Sequence, residues 1–339
     1  MTAVNHARLT KWWRDDPSDP DRMLLNNPHA QKLIAEIAPD AKTTDLGGVM
    51  SLNVRIEPDE LVLRVHQPFV SRSRLLAVQK LRYGCDNQGL IVPIPMYWNN
   101  APLLRCQNRW AELEQFIPHE RLNPSLDSYL WLFQAMGVLH RTLTRLHVAV
   151  PRPLVATYAS PSTLRRWLQV TSIAVQDDSE AVITAELLNN LLRRLRSQWI
   201  STSELPTQLV HGDIRLSNVC QTLDGQTVYF DFGFAAHRPR IYDIAYALAF
   251  MVLTQGGHQA PNHYRWQDVG QLVNEYELAA HTWLTTLERK ALAPYIASIP
   301  MYHAANVGFS NNPVKQLHEK SVLLRLSEWI LAHPEAIFG

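Results

Sequence analysis

The stretch LVHGDIRLSN at residues 209–218 and the stretch VYFDFG at residues 228–233 decide the fold of this chain. Each begins with apolar, β-prone residues and ends in polar side chains, as expected where a buried strand runs into a loop. The two loops carry Asp213, Asn218 and Asp231. The transfer of a γ-phosphoryl group requires a carboxylate beside the attacking hydroxyl and hard oxygen ligands for Mg²⁺. The spacing therefore predicts Asp213 as the catalytic base, and Asn218 and Asp231 as metal ligands.

These motifs resemble those of the aminoglycoside phosphotransferase and choline kinase-like group, small-molecule kinases built on the protein-kinase fold. That group writes its catalytic loop as His-Gly-Asp, four residues and Asn, as in residues 211–218 here. Its metal loop is Asp-Phe or Asp-Trp with a further Asp about a dozen residues on, which Asp231 and Asp243 match. The resemblance implies an α+β, bilobal fold with a small β-rich N-lobe and a larger, mainly helical C-lobe. It also implies ATP and Mg as cofactors and a small-molecule hydroxyl as the acceptor.

Three neighbours of the motif have structural as well as functional interpretations. His211 is expected to anchor the loop, because one base near the attacking hydroxyl is sufficient. Asp243 opens the apolar run at 244–253, and we expect it to cap a buried helix and to accept hydrogen bonds from the catalytic loop. Arg215 falls where protein kinases that phosphorylate serine place a lysine near the γ-phosphate. A catalytic role and a solvated loop arginine both remain open for Arg215.

The composition is that of a globular protein with room for two lobes. The 339 residues are 46% apolar and 19% charged, which argues against disorder. The net charge of +1 argues against nucleic acid and membrane surfaces as partners. Cys85, Cys106 and Cys220 lack metal-ligand spacing and indicate reduced thiols. The sequence shows no apolar leader near residue 1, and its longest apolar run is about half a membrane span. Together with the reduced thiols, these features predict a cytoplasmic location.

The order of the motifs predicts three regions. Residues 1–40 form an N-terminal extension, residues 41–115 a nucleotide-binding N-lobe, and residues 116–339 a C-lobe with the catalytic and acceptor sites. The extension is Asp/Pro-rich at its centre. Apolar spacing predicts helices at 29–37, 73–82, 126–146, 185–199 and 244–253.

The N-lobe pattern predicts a β-hairpin, with arms at 46–56 and 61–65 joined by a polar turn. Gly47 and Gly48 begin its first arm, where backbone amides would approach phosphate oxygens, and a plain turn is the alternative. Residues 110–118 resemble the segment that crosses between the lobes, where backbone groups meet adenine. This assigns Glu114 and Phe116 to the nucleotide.

Arg64 occupies the strand position where such kinases place their phosphate-binding lysine. Arginine can hold phosphate through a bidentate fork, but the following helix contains no glutamate to pair with it. Two interpretations follow. Either the chain is an active kinase whose Arg64 is oriented from elsewhere, or it is a catalytically inactive kinase-fold protein that binds a nucleotide or another ligand. The intact set of Asp213, Asn218 and Asp231 favours the enzyme.

The motifs do not specify the phosphate acceptor. Relatives act on aminoglycosides, choline or ethanolamine, homoserine and sugar-like amines. Acidic and aromatic side chains in the last third of the chain would suit a cationic amine, and ordinary core positions are the alternative. These candidates are Trp266, Glu275, Glu277, Trp283 and Tyr302.

Overall fold

The computed structural model describes residues 22–48, 50–153, 160–255 and 261–337. The first part of the chain is built on an antiparallel sheet and the remainder is mainly helical, so the predicted α+β class is confirmed. The strands are β1 (Lys42–Asp45), β2 (Leu52–Glu57), β3 (Leu61–Val65), β4 (Pro95–Met96), β5 (Leu104–Cys106), β6 (Arg109–Gln115), β7 (His119–Glu120), β8 (Thr207–Val210), β9 (Val219–Thr222), β10 (Thr227–Tyr229) and β11 (Ala236–Pro239). The helices are α1 (Pro28–Ile37), α2 (Arg72–Asp86), α3 (Leu126–Leu143), α4 (Pro161–Ala174), α5 (Ser179–Gln198), α6 (Ile241–Gln255), α7 (Asp268–Ala280), α8 (Thr286–Ala305), α9 (Pro313–Ser321) and α10 (Leu324–Ala332).

The large sheet has the strand order β1-β2-β3-β6-β4, and β5 also pairs with β6. Two small sheets, β10-β9-β7 and β11-β8, hold the loops that follow β8 and β10. Both motif stretches therefore begin on strands, as the apolar residues before each loop predicted.

The two faces of the large sheet differ in chemistry because side chains alternate along each strand. Leu63 and Val65 of β3 and Leu113 of β6 are buried in one apolar cluster, to which α1 contributes its own buried face. Arg64 and Glu112 are register partners on β3 and β6 and lie on the opposite face. The predicted N-terminal helix is thus present and packs on the sheet, while the Asp/Pro-rich segment before it lies outside the described residues. The boundaries of the three predicted regions stay predictions.

The hairpin of β2 and β3 is present with its turn at 58–60, but the prediction that its first arm begins at residue 46 is wrong. The arm begins at Leu52, and residues 46–48 and 50–51 belong to the connection from β1. Gly47 and Gly48 have φ angles of 81° and 113°, in the left-handed region that does not continue a strand. The glycine pair therefore lies in a loop between two strands.

The C-terminal core surrounds α6, whose residues from Ile241 to Ala249 are all buried. The predicted helices correspond to α2, α3, α5 and α6, with ends displaced by up to six residues. Gly137 of α3 approaches α7 so closely that a Cβ atom there would lie 2.6 Å from the Tyr276 carbonyl oxygen. Among the described residues, no helix combines the length and hydropathy needed to span a membrane.

Candidate active site

The catalytic loop is fixed to α6 by a single buried carboxylate. Asp243 lies in the first turn of α6 and accepts hydrogen bonds from the backbone amides of His211 and Gly212, each at 2.9 Å. His140 of α3 donates to the same carboxylate through Nε2 at 3.0 Å. Asp243 therefore accepts from the catalytic-loop backbone as the sequence predicted, and the loop is held against both helices.

The His211 ring joins the two motif loops. Nε2 donates to the Phe230 carbonyl oxygen at 2.7 Å, and Nδ1 accepts from the Asp213 amide at 3.3 Å. A carbonyl only accepts and an amide only donates, so these partners require neutral imidazole with its proton on Nε2. Both ring nitrogens are thus engaged by the backbone, and the ring serves as an anchor.

Gly212 brings the two loops into direct contact. Its φ angle is 85°, and a Cβ atom at this position would lie 2.4 Å from the Phe234 carbonyl oxygen. The middle residue of His-Gly-Asp is therefore glycine for two reasons, the left-handed backbone and the space taken by the metal loop.

Asp213 is buried with its two oxygens in different environments. Oδ2 accepts from Asn218 Nδ2 at 2.7 Å and from Arg215 at 3.1 Å. Oδ1 is buried and, among the described residues, has no hydrogen bond of good geometry, although the Tyr246 hydroxyl lies close enough to this carboxyl to lower its pKa. Burial raises the pKa of Asp213, and the Arg215 guanidinium opposes this shift only in part. A carboxylate with a raised pKa and one unpaired oxygen is suited to accept a proton.

Asn218 and Asp231 present the oxygens predicted for a metal. The Asn218 amide nitrogen is committed to Asp213, whereas its Oδ1 has only a 3.5 Å contact with the Ser217 hydroxyl. Asp231 has φ 56°, and its side chain is 31% exposed. One neutral and one anionic oxygen donor suit Mg²⁺, which takes few protein ligands and completes its shell with phosphates and water.

Arg64 reaches Asp231 from the sheet. Its guanidinium donates to Asp231 Oδ1 at 2.7 Å. Burial alone would lower the pKa of Arg64, but the carboxylates of Asp231 and Glu114 raise it above the usual range. The same ion pair outweighs burial at Asp231 and lowers the pKa of that carboxyl. Both groups are therefore charged where the lobes meet.

The glutamate missing from α2 is replaced by two glutamates of strand β6, a neighbour of β3. Glu112 and Glu114 of β6 are buried on the face that carries Arg64. The helix contributes a cation instead, because Arg82 donates to Glu112 at 2.5 Å and also pairs with Glu114. His66 donates to the second oxygen of Glu112 at 3.0 Å. The acids that face Arg64 thus come from the strand β6, and the helix α2 contributes the cation Arg82 where a glutamate was expected.

The helix α2 is also tied to the metal loop. Arg74 is buried and donates to the carbonyl oxygens of Gly233 at 2.6 Å and Ala235 at 3.0 Å. Burial, followed by the nearby charge of Arg238, lowers the pKa of Arg74 to about 10. The loop after Asp231 is therefore positioned by a cation from the N-terminal turn of α2.

The residues assigned to adenine have partners within the protein. The Glu114 carboxylate accepts a hydrogen bond from Arg82, and the Phe116 amide donates to the Glu60 carbonyl oxygen at 2.7 Å. Arg55 lies over the Phe116 ring, 4.1 Å from its centroid. Contact between this segment and a nucleotide stays a prediction.

The glycine loop is held from within. The Gly47 amide donates to Asp45 Oδ1 at 2.8 Å, and its carbonyl oxygen accepts from Asn53 at 2.8 Å. Gly48 is exposed and has no assigned partner in the described part of the loop. Phosphate contact at Gly47 and Gly48 also stays a prediction.

The five candidate acceptor contacts differ in their surroundings. Most have structural partners: Glu275 accepts from Gln134, Glu277 from Arg289, and the Trp266 indole donates to the Pro261 carbonyl and stacks on Trp329. Trp283 is 63% exposed. Tyr302 packs edge-on against His303 with ring centroids 5.1 Å apart. Of the five, Tyr302 is the one joined by ring contacts to the catalytic loop, through His303 and Phe250.

Sequence reasoning missed Arg74, Arg82, Glu112 and Tyr246, whose hydroxyl lies close to the Asp213 carboxyl. One signal for Glu112 was present. Two glutamates spaced by two in the strand RWAELEQ share a face, and charges inside an otherwise apolar strand require partners.

Comparisons with known proteins establish the family and the fold of the chain. A model of the phosphotransferase enzyme family (APH) matches residues 45–280, well over half of the chain. No curated protein sequence matches the chain.

Solved structures are similar in fold at low sequence identity. The microcompartment-associated aminopropanol kinase is 16% identical with a TM-score of 0.68, covering 89% of this chain and 95% of that one. The amicoumacin kinase hAmiN, in complex with AMP-PNP, Ca²⁺ and Ami, is 14% identical with a TM-score of 0.64, covering 87% and 92%. A choline/ethanolamine kinase family protein from Mesorhizobium loti is 13% identical with a TM-score of 0.58, covering 92% and 100%. The expected kinase-like fold is confirmed, and the chain belongs to the phosphotransferase enzyme family as a small-molecule kinase.

Proposed function

We propose that the chain transfers the γ-phosphoryl group of ATP to a hydroxyl of a small molecule with the help of Mg²⁺. The observation that carries this proposal is the Asp213 carboxyl. One oxygen is held by Asn218 and Arg215, and the other is buried with no hydrogen bond of good geometry among the described residues. A buried acceptor without a donor is costly in a folded protein. An acceptor hydroxyl that donates to Oδ1 removes that cost and is oriented for attack.

In the proposed step, the acceptor oxygen forms a bond to the γ-phosphorus as the bond from that phosphorus to the bridging oxygen breaks. ADP leaves with the bridging oxygen, and Asp213 takes the hydroxyl proton. Arg215 keeps the Asp213 carboxylate oriented through its 3.1 Å hydrogen bond. Most of the acceleration is expected from positioning and charge neutralisation, since little covalent chemistry is required of the protein.

Asn218 Oδ1 and the Asp231 carboxylate are the groups that would hold Mg²⁺, which supplies charge neutralisation on the phosphates when bound. The Arg64 guanidinium lies against Asp231, and phosphate oxygens that take this group would replace its hydrogen bond to that carboxylate. It is therefore placed to hold phosphate oxygens beside the metal ligand. The buried acids Glu112 and Glu114 keep its charge in place from the sheet side.

Calorimetric titration with Mg·ATP tests the nucleotide half of the proposal. Arg64→Ala should weaken binding strongly, and Arg64→Lys should recover part of it because the charge survives without the fork. Arg105→Ala is the matched control, since Arg105 is exposed on β5 and lies over the Trp110 ring. No binding of Mg·ATP by the folded wild type would refute the proposal.

The metal assignment has its own test. Asp231→Ala removes the anionic ligand, so affinity for Mg·ATP should fall far more than affinity for metal-free ATP. Equal losses in the two titrations would contradict the role given to Asp231.

A panel of amino alcohols, aminoglycosides, amino acids and hydroxy acids, with ADP formation as the readout, tests the transfer itself. Asp213→Asn should lower the rate of ADP formation by orders of magnitude while Mg·ATP still binds.

A further inference from the structure

The acceptor hydroxyl has to reach Oδ1 of Asp213, so the side chains around that carboxyl line the acceptor side of the site. Tyr246 lies beside the carboxyl. Phe250 is one turn further along α6, with its ring centroid 4.7 Å from that of Tyr246. The next ring is that of His303 of α8, 6.3 Å from Phe250. With Tyr302, these rings form an aromatic wall that begins at the catalytic base.

The charges on this aromatic wall are positive. The Arg215 guanidinium lies over Phe250, 5.6 Å from the ring centroid. Burial lowers the pKa of His303 to about 4, and the charges of Lys320 and Arg215 act in the same direction. The imidazole is therefore neutral near pH 7. In the described part of the chain, both charged groups that act on His303 are cations.

Acids that could balance a cationic acceptor are engaged elsewhere. Glu275 accepts from Gln134 of α3 at 2.6 Å. Glu277 is buried and accepts from the Leu284 amide at 2.7 Å and from Arg289 at 2.5 Å. These hydrogen bonds fasten α7 to its neighbours and occupy both of these acids. The face of Phe250, which could bind a cation, already has Arg215 over it.

We propose that the acceptor is a hydroxyl compound that carries an anionic group and a planar or apolar body, in contrast to a cationic amine. This inference rests on the function proposed above and names the substrate class of the same site. The body lies along Phe250 and Tyr302, and the anion faces Lys320 and the neutral His303. The hydroxyl is then directed to Asp213, where Arg215 adds to the positive potential. A cationic group on the acceptor would be repelled by the charges of Arg215 and Lys320.

Matched benzyl alcohols test the charge preference because they share one hydroxyl and one ring. The probes are para-hydroxymethylbenzoate, its phosphonate analogue, para-hydroxymethylbenzylamine and uncharged benzyl alcohol. Calorimetric titration of the full chain is carried out without nucleotide and again with Mg·AMP-PNP. The benzoate or the phosphonate should bind at least about tenfold more tightly than the amine, and the tighter of the two identifies the anion. Binding of the amine equal to or tighter than that of both anions would overturn the inference, as would no binding of any probe.

A pair of substitutions on α9 locates the anion. Lys320→Glu should weaken binding of the anionic probe by about fivefold, the upper range for one partly exposed charge pair. Lys315→Glu is the control, because Lys315 is on the same helix but is highly exposed beside Glu319. Equal effects of the two substitutions would remove Lys320 from the site and contradict the inference.

The nucleotide-free titrations keep this test separate from the proposed function. If the folded protein failed to bind Mg·AMP-PNP but preferred the anionic probe, the phosphotransfer proposal would fail while the charge of the acceptor side stood. If Mg·AMP-PNP bound and the amine was preferred, the kinase proposal would stand and the acceptor class would be wrong.

Discussion

Replacement of Arg82 by Met is expected to destabilise the protein strongly, because a buried charge balance depends on it. Arg64 and Arg82 face the carboxylates of Glu112, Glu114 and Asp231, so two cations serve three anions. Without Arg82, one cation serves three. Removing one partner from a buried ion pair costs about 3–5 kcal/mol, since it leaves an uncompensated charge. This is a large share of the free energy of unfolding of a typical folded protein, which is about 5–15 kcal/mol.

Urea unfolding at pH 7 measures this loss as a shift in midpoint at constant slope. Lys80→Met on the same helix is the matched control, because Lys80 is exposed, and its effect should stay within about 0.5 kcal/mol. Adding Glu112→Gln and Glu114→Gln to Arg82→Met should recover much of the loss, since Arg64 and Asp231 then remain as a balanced pair of one cation and one anion. A loss below about 1 kcal/mol for Arg82→Met would refute the electrostatic account.

The pH dependence gives a second measurement on the same residue. Burial by itself raises the pKa of Glu112, but Arg82 and His66 outweigh it and hold that pKa well below its ordinary value of 4.5. A carboxyl with a depressed folded pKa stabilises the protein above 4.5, and this contribution is lost only as pH falls through the folded value. In Arg82→Met the buried carboxylate lacks its main counter-charge, so stability should instead rise as pH falls from 7 to 5.

Three further predictions concern the site itself. Gly212→Ala should be far more disruptive than Gly225→Ala in unfolding and ADP-formation assays. Both glycines have φ near 85°, but only at Gly212 would the new Cβ meet a backbone oxygen, that of Phe234 at 2.4 Å. The space around Gly225 is open. Comparable losses would show that backbone strain alone explains both. The kcat/KM profile should fall with decreasing pH through an apparent pKa above 3.8, because burial raises the pKa of Asp213, the proposed base. A limb at or below 3.8 would contradict this role. Arg74→Met should cost about 2–3 kcal/mol of stability, since the carbonyl oxygens of Pro151, Gly233 and Ala235 lose a charged donor. It should weaken Mg·ATP binding more than acceptor binding; equal weakening would contradict a role for Arg74 in positioning the loop after Asp231.

The parts of the site that could be predicted from sequence are those that one short segment determines. His211, Gly212 and Asp213 are adjacent, and the loop geometry that they require is local. Asp243 was predictable for a related reason, since an acid that opens an apolar helix needs donors and the catalytic-loop backbone supplies them.

The partners of Arg64 could not be predicted in this way. Glu112 lies opposite Arg64 only because β3 and β6 pair in one particular register, and 47 intervening residues leave that register undetermined. The error at residue 46 has another cause. The apolar alternation continues through the glycine pair, and the positive φ angles that interrupt the strand are not visible in a hydrophobic pattern.

The hydrogen bond between Arg64 and Asp231 has a thermodynamic consequence for the order in which ligands arrive. In the structure these two groups, Arg64 proposed for phosphate and Asp231 proposed for metal, are hydrogen-bonded to each other. A metal ion that takes Asp231 releases the guanidinium, and a nucleotide that takes Arg64 releases the carboxylate. Whichever ligand binds first bears the free energy of separating the pair, and the second binds without it. Metal and nucleotide should therefore raise each other's affinity by one common factor, so the hydrogen bond between Arg64 and Asp231 would favour binding of the two together.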